Sequence, residues 1–107
     1  MRAMDVVPEF VVEEAARRFA LLGDPTRLRV VSSVHRRGEA CVSDIANDCD
    51  TSASNASQHL QRLLLGGIVK RRRQGRLVLY RLADDTIESL CTIVCASVRD
   101  RARVLSA

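Results

Sequence analysis

Cys41, Cys49, Cys91 and Cys95 carry the most latent chemistry in this 107-residue chain. Cys91 and Cys95 are spaced i, i+4, which on a helix sets both sulfurs on one face about a turn apart. Two thiolates so placed can chelate a soft ion. Cys41, from the same or another subunit, could add a third sulfur for trigonal coordination of As(III), Cd(II), Hg(II) or Pb(II). The same thiols could instead respond to oxidants or reactive sulfur species. A disulfide between Cys91 and Cys95 is disfavoured, because both Cβ atoms tilt the same way along the helix. Packing is the competing explanation: Cys91 shares an apolar stripe with Ile87 and Val94, Cys49 falls on the buried face of its helix, and free cysteines are commonly buried. Whether Cys49 is sensory or core stays open.

A second set of residues suits DNA. From Thr51 to Ala83 there is no Asp or Glu, yet Arg62, Lys70, Arg71, Arg72, Arg73, Arg76 and Arg81 all fall there. The segment is therefore +7 in a chain of net +4, which leaves the remainder at −3. A basic block so segregated draws a polyanion to one side of a domain. Within it, Ser54, Asn55, Ser57, Gln58, Gln61 and Arg62 crowd one edge of a short polar helix. Gln58 and Asn55 can pair bidentately with adenine, and Ser54 and Ser57 can reach bases or phosphates. His59 either meets a phosphate or packs at a helix–helix seam. Arg71, Arg72, Arg73 and Arg76 should straddle a phosphate strand or enter the minor groove. Strand alternation puts Arg71 and Arg73 on one face and Arg72 on the other.

Five helices and one hairpin must position these groups. Val11, Val12, Ala15, Ala16, Phe19 and Leu22 recur at helical spacing after Pro8, and the stripe is broad enough to touch both a core and a second subunit. Asp24-Pro25 opens the next helix as N-cap and first residue, with Leu28, Val31 and Val34 facing inward and Gly38 ending it. Val42, Ile45, Ala46 and Cys49 mark a third, short helix. Ser52 caps a fourth, whose apolar edge is Ala53, Ala56, Leu60, Leu63 and Leu64. Ile68–Arg73 and Leu77–Leu82 read as two strands around Gln74-Gly75, and Asp84 to Leu105 as a long last helix. The pattern is mainly α with a small β-hairpin: a winged helix-turn-helix in a single domain, 1–107. Residues 1–22 and 84–107 are its dimerisation helices, 42–65 the helix-turn-helix and 68–82 the wing.

The runs LLGDPTRLRVVSSV, EACVSDIA and SASNASQHLQRLLLGGIVKRRRQGRLVLYRL resemble the ArsR/SmtB transcriptional repressors over about residues 16 to 90. The resemblance implies a homodimer that binds an inverted-repeat DNA operator and lets go when an effector, often a thiophilic metal ion, binds. It also implies two possible sensory sites, and the chain departs from both. The family's Cys-Val-Cys-Asp-Leu is here Cys41-Val42-Ser43-Asp44-Ile45, with Ser43 a poor ligand for a soft metal. Its Asp-x-His at the start of the last helix keeps Asp84 but has Thr86 for the histidine, and His35 and His59 lie elsewhere. A zinc or nickel site of the family type is not expected.

Other classes fare worse. No Gly-rich phosphate loop, Cys-x-x-Cys or acid–base cluster supports a small thiol enzyme built on Cys41 with His59 or His35. Three aromatics, Phe10, Phe19 and Tyr80, are too few for a single-strand stacking platform. No run approaches the roughly 18 apolar residues of a spanning helix. Glu9, Glu13 and Glu14 interrupt any secretory h-region, so no membrane association and a cytoplasmic location are expected.

Overall fold

Helix starts in this chain are written by capping residues. In the computed structural model, which describes residues 7–106, Asp24 accepts a hydrogen bond from the Arg27 amide at 2.9 Å and opens α2, Pro25–Arg37. Ser52 does the same for the Asn55 amide at 3.0 Å and opens α4, Ala53–Leu65. Asp84 accepts from the amides of Thr86 and Ile87, so the last helix, α5, runs from Asp85 to Ser106. Each cap satisfies amides that a helix leaves without partners. The remaining helices are α1, Glu9–Leu22, and the short α3, Val42–Asp48. The first six residues assigned to the dimerisation segment 1–22, and Ala107 of the segment 84–107, lie outside the described residues.

The wing has one strand more than the hairpin expected. β2, Val69–Gln74, pairs antiparallel with β3, Leu77–Leu82, and Gly75 turns between them at φ +61°. A two-residue strand, β1, Ala40–Cys41, pairs with the other edge of β3 and gives the order β1-β3-β2. Cross-strand partners share a face. Ala40, Tyr80 and Arg71 therefore point one way, and Cys41, Leu79 and Arg72 the other.

The core lies where α2, α3 and α4 meet the inner sheet face. Val30, Val31, Val34, Ile45, Ala56, Leu60, Leu63, Ile68 and Tyr80 fill it. The buried face of α2 is wider than its valines suggest: Ser33 is also buried, and Leu28 is only half-buried. Ala53, expected on the apolar edge of α4, is exposed, because that position precedes the packed turn. α1 gives the core Leu22, with Leu21 half-buried against it, and among the described residues of α5 only Ile87 is buried. Phe10, Phe19, Val94 and Val98 are each at least half exposed in the single chain. No described helix is long and apolar enough to cross a membrane.

Candidate nucleic-acid interface and cysteine site

The face of α4 turned from the core carries Ser54, Ser57, Gln58 and Gln61, at i, i+3, i+4 and i+7, and all four are exposed. Short polar side chains in one stripe present donors and acceptors without bulk, as reading base edges in a major groove requires. Arg62 is exposed at the flank of that stripe. Asn55 and His59 are not on it. Asn55 is half-buried, and its side-chain amide donates to Thr51 Oγ1 at 2.8 Å, which ties it to the start of its own helix. His59, one turn on, is also half-buried, and its Nδ1 is shielded from solvent with no hydrogen-bond partner among the described residues; the Asp24 carboxyl, held below its usual range chiefly by the Arg27 amide, lies near the ring. The structure thus puts His59 at the seam between α4 and the start of α2.

The wing's arginines divide in two. Arg72 donates from Nε and one terminal nitrogen to the two carboxylate oxygens of Glu39, both at 2.7 Å, a forked ion pair between β2 and the residue that precedes β1. That guanidinium holds the Glu39 carboxyl below the usual range, with Arg81 adding to the effect. Arg71, Arg73 and Arg76 are exposed, and among the described residues no carboxylate pairs with them or with Arg62, Lys70 or Arg81. Their charge is free for phosphates. Arg72, expected to bind phosphate like its neighbours, is paired with Glu39 in the single chain.

Two features that the sequence reading did not find hold this surface in place. One is the Glu39–Arg72 pair. The other is Asp48 at the end of α3, which accepts from Ser33 Oγ at 2.7 Å and from Arg37 at 2.7 and 2.9 Å. With Arg36 at 3.3 Å, it clamps α2 to α3. Hydrogen bonds from Arg37, then Ser33, hold the Asp48 carboxyl well below the ordinary carboxylate range. Both pairings link residues far apart in sequence, which no periodicity announces.

The cysteines fall in different places. Cys41 ends β1 beside α3, with its sulfur 3.3 Å from Ser43 Oγ. Cys49 follows α3 and packs partly against the core, where burial pushes its thiol pKa up. Cys91, half-buried, and Cys95, exposed, stand together on α5. Burial, then the neighbouring Cys95, raises the Cys91 pKa. Both line a hollow of about 190 Å3 between the α1–α2 junction and α5. They also line a second, more polar hollow with Ser32, His35 and Arg99. The pair is suited to a soft ion, but no group of three His, Cys, Asp or Glu able to hold a metal forms among the described residues. The trigonal S3 set with Cys41 therefore does not assemble within one chain.

Comparison with known proteins agrees with the fold. Residues 22–72 match a helix-turn-helix domain family. A cadmium resistance transcriptional regulatory protein homolog of Staphylococcus aureus is 39% identical over 72% of this chain, which spans 64% of that protein's length. An HTH-type transcriptional regulator of Methanocaldococcus jannaschii is 34% identical, with 77% of this chain and 92% of the relative covered. The solution structure of a homodimeric winged helix-turn-helix DNA-binding domain from Mycobacterium bovis, a possible ArsR-family regulator, superposes with a TM-score of 0.79 at 27% identity, covering 94% of this chain and 92% of that one.

Proposed function

The chain belongs to the ArsR/SmtB family of winged helix-turn-helix transcriptional repressors, and we propose that it binds an inverted-repeat operator as a homodimer and leaves it when a thiophilic metal or metalloid ion binds Cys91 and Cys95. The observation that carries the DNA half is the acid-free stretch from Thr51 to Ala83: it bears the polar stripe of α4 and Arg62, Arg71, Arg73 and Arg76, none of them paired among the described residues. Ser54, Ser57, Gln58 and Gln61 read base edges, and the arginines bind phosphate. Asn55 and His59 act from the flank, by holding α4 in position.

For the effector half, α5 follows β3 after two residues and packs on it. A ligand that shifts α5 is therefore coupled to the wing. Release requires the ion to bind the DNA-incompetent dimer more tightly, and a tenfold effect needs only about 1.4 kcal/mol of coupling. The cadmium resistance relative supports a soft ion, as do the two sulfur donors. As(III), Cd(II), Hg(II) and Pb(II) are the candidates, with a third donor such as Cys41 coming from the second subunit. Oxidant sensing is the weaker reading at Cys91, because the thiolate is the reactive form and burial keeps this thiol protonated. A metal displaces that proton itself.

The test is operator release in the double variant Cys91→Ser/Cys95→Ser. Folding and DNA affinity should survive, while release by Cd(II) or As(III) and the thiolate-to-metal ultraviolet band should disappear. Normal release from that variant, with loss in Cys41→Ser, would move the sensor beside the helix-turn-helix.

A further inference from the structure

The second hollow, between α2 and α5, differs in character from the first. Its floor is apolar, from Leu28, Val31 and Ala96, and its rim carries Ser32, His35 and Arg99, with no carboxylate among the lining residues. Arg99 pairs with no acid among the described residues. His35 turns Nδ1 toward Glu88 Oε1 at 3.9 Å, which leaves Nε2 as the ring nitrogen for another partner. None of Phe10, Phe19, Val94 and Val98, the exposed apolar residues left for a second subunit, borders this hollow. Thr92 and Arg99, on its α5 wall, stand about 100° or more round the helix from Val94 and Val98. The hollow opens on the side of α5 away from that apolar surface.

Donors at the rim match an oxyanion and the floor matches an apolar body, so the two halves together select a molecule that has both. An arginine forks onto a carboxylate through two parallel hydrogen bonds. Ser32 and His35 can donate to the lone pairs that remain. Dry apolar cavities of roughly 150 Å3 take up benzene, and at about 260 Å3 this hollow has room for a ring with its carboxylate. We propose that it binds a small organic monocarboxylate with an aromatic or branched apolar body, independently of the thiols of α5. Such a ligand touches α5 on one side and α2 on the other. Because α2 packs on α3 and α4, occupancy of the hollow bears on how α4 is presented to DNA. By linkage, the carboxylate and operator DNA change each other's affinity by the same factor.

The probe is benzoate, titrated into the full chain by isothermal titration calorimetry, with benzamide as its neutral counterpart and acetate as the anion without a body. Benzoate should bind once per chain with a dissociation constant of about 1 mM or tighter, and the other two at least about tenfold more weakly. Arg99→Gln, a change at an exposed position, should weaken benzoate at least about tenfold. Ala96→Phe, which fills the floor, should do the same while sedimentation still finds the native oligomer. Cys91→Ser/Cys95→Ser should bind benzoate within about threefold of the native protein. Saturating benzoate should shift affinity for a selected operator duplex at least about threefold in the native protein, and not in Arg99→Gln. The proposal is overturned by any of four results: no saturable benzoate binding, benzamide bound as tightly as benzoate, undiminished binding in Arg99→Gln, or an operator affinity that saturation does not move. Loss of benzoate along with the two thiols would overturn it as well. Failure of the Cd(II) response refutes the metal site alone, since benzoate is read without metal.

Discussion

Arg72 and Arg73 are neighbours in β2 with opposite surroundings, because a strand sends successive side chains to opposite faces. Arg72 closes on Glu39, and Arg73 faces solvent with its charge unmatched. Each phosphate contact contributes about 0.9 to the slope of log K against log salt. Arg73→Ala should therefore shallow the slope by about two per dimer, and Arg72→Ala by less than one. Glu39→Gln, which frees Arg72, should steepen it. Anisotropy titrations between 50 and 300 mM salt decide this, and equal slopes for the two arginine variants would contradict the assignment. Gln58→Ala should blur preference at one base pair per half-site and leave the slope nearly unchanged. The alternation of Arg71, Arg72 and Arg73 is legible in the sequence, since it follows from period two. The removal of Arg72 from the free set is not, because Glu39 lies thirty-three residues away and meets it only through the fold.

Helix ends were equally legible, since Asp24-Pro25 and Ser52 cap by rules that act within three residues. β1 was not: two residues carry no periodicity, and Ala40–Cys41 becomes a strand only because β3 offers it an edge. Nor was the seat of His59, which depends on how α2 crosses α4. The α2–α3 clamp is the element-level feature with the clearest consequence. The Asp48 carboxyl is depressed below its unfolded value of about 3.8 by Arg37 and Ser33, so its contribution is complete above that value and is lost as pH falls toward the lower folded value. In urea unfolding, the stability gap between the native protein and Asp48→Asn should stay constant from pH 7 to 5 and narrow below about pH 4. A gap that widens in acid would refute the clamp. Ser33→Ala, which deletes one part-buried hydrogen bond, should cost about 1 kcal/mol.

As a whole molecule, the chain exposes more apolar surface on α1 and α5 than a single subunit can cover. Phe10 is 72% exposed, Phe19 60% and Val98 62%. Surfaces of this kind mark association, and the broad stripe of α1 suggested as much from spacing alone. Sedimentation should find a dimer at micromolar concentration, and Phe19→Glu with Val98→Glu should yield monomers that hold their helices and lose operator affinity. A two-fold dimer presents two α4 helices, so the selected DNA should be an inverted repeat with half-sites about one helical turn apart. The most direct test of this account is the salt dependence and stoichiometry of binding to a duplex that the protein has itself selected from a random pool. With about eight to ten phosphates met per dimer, the expected slope is near −7 to −9 with two chains per duplex. One chain per duplex, or a slope shallower than about −3, would contradict the central claim that the polar stripe of α4 and the basic wing form a paired DNA-binding surface.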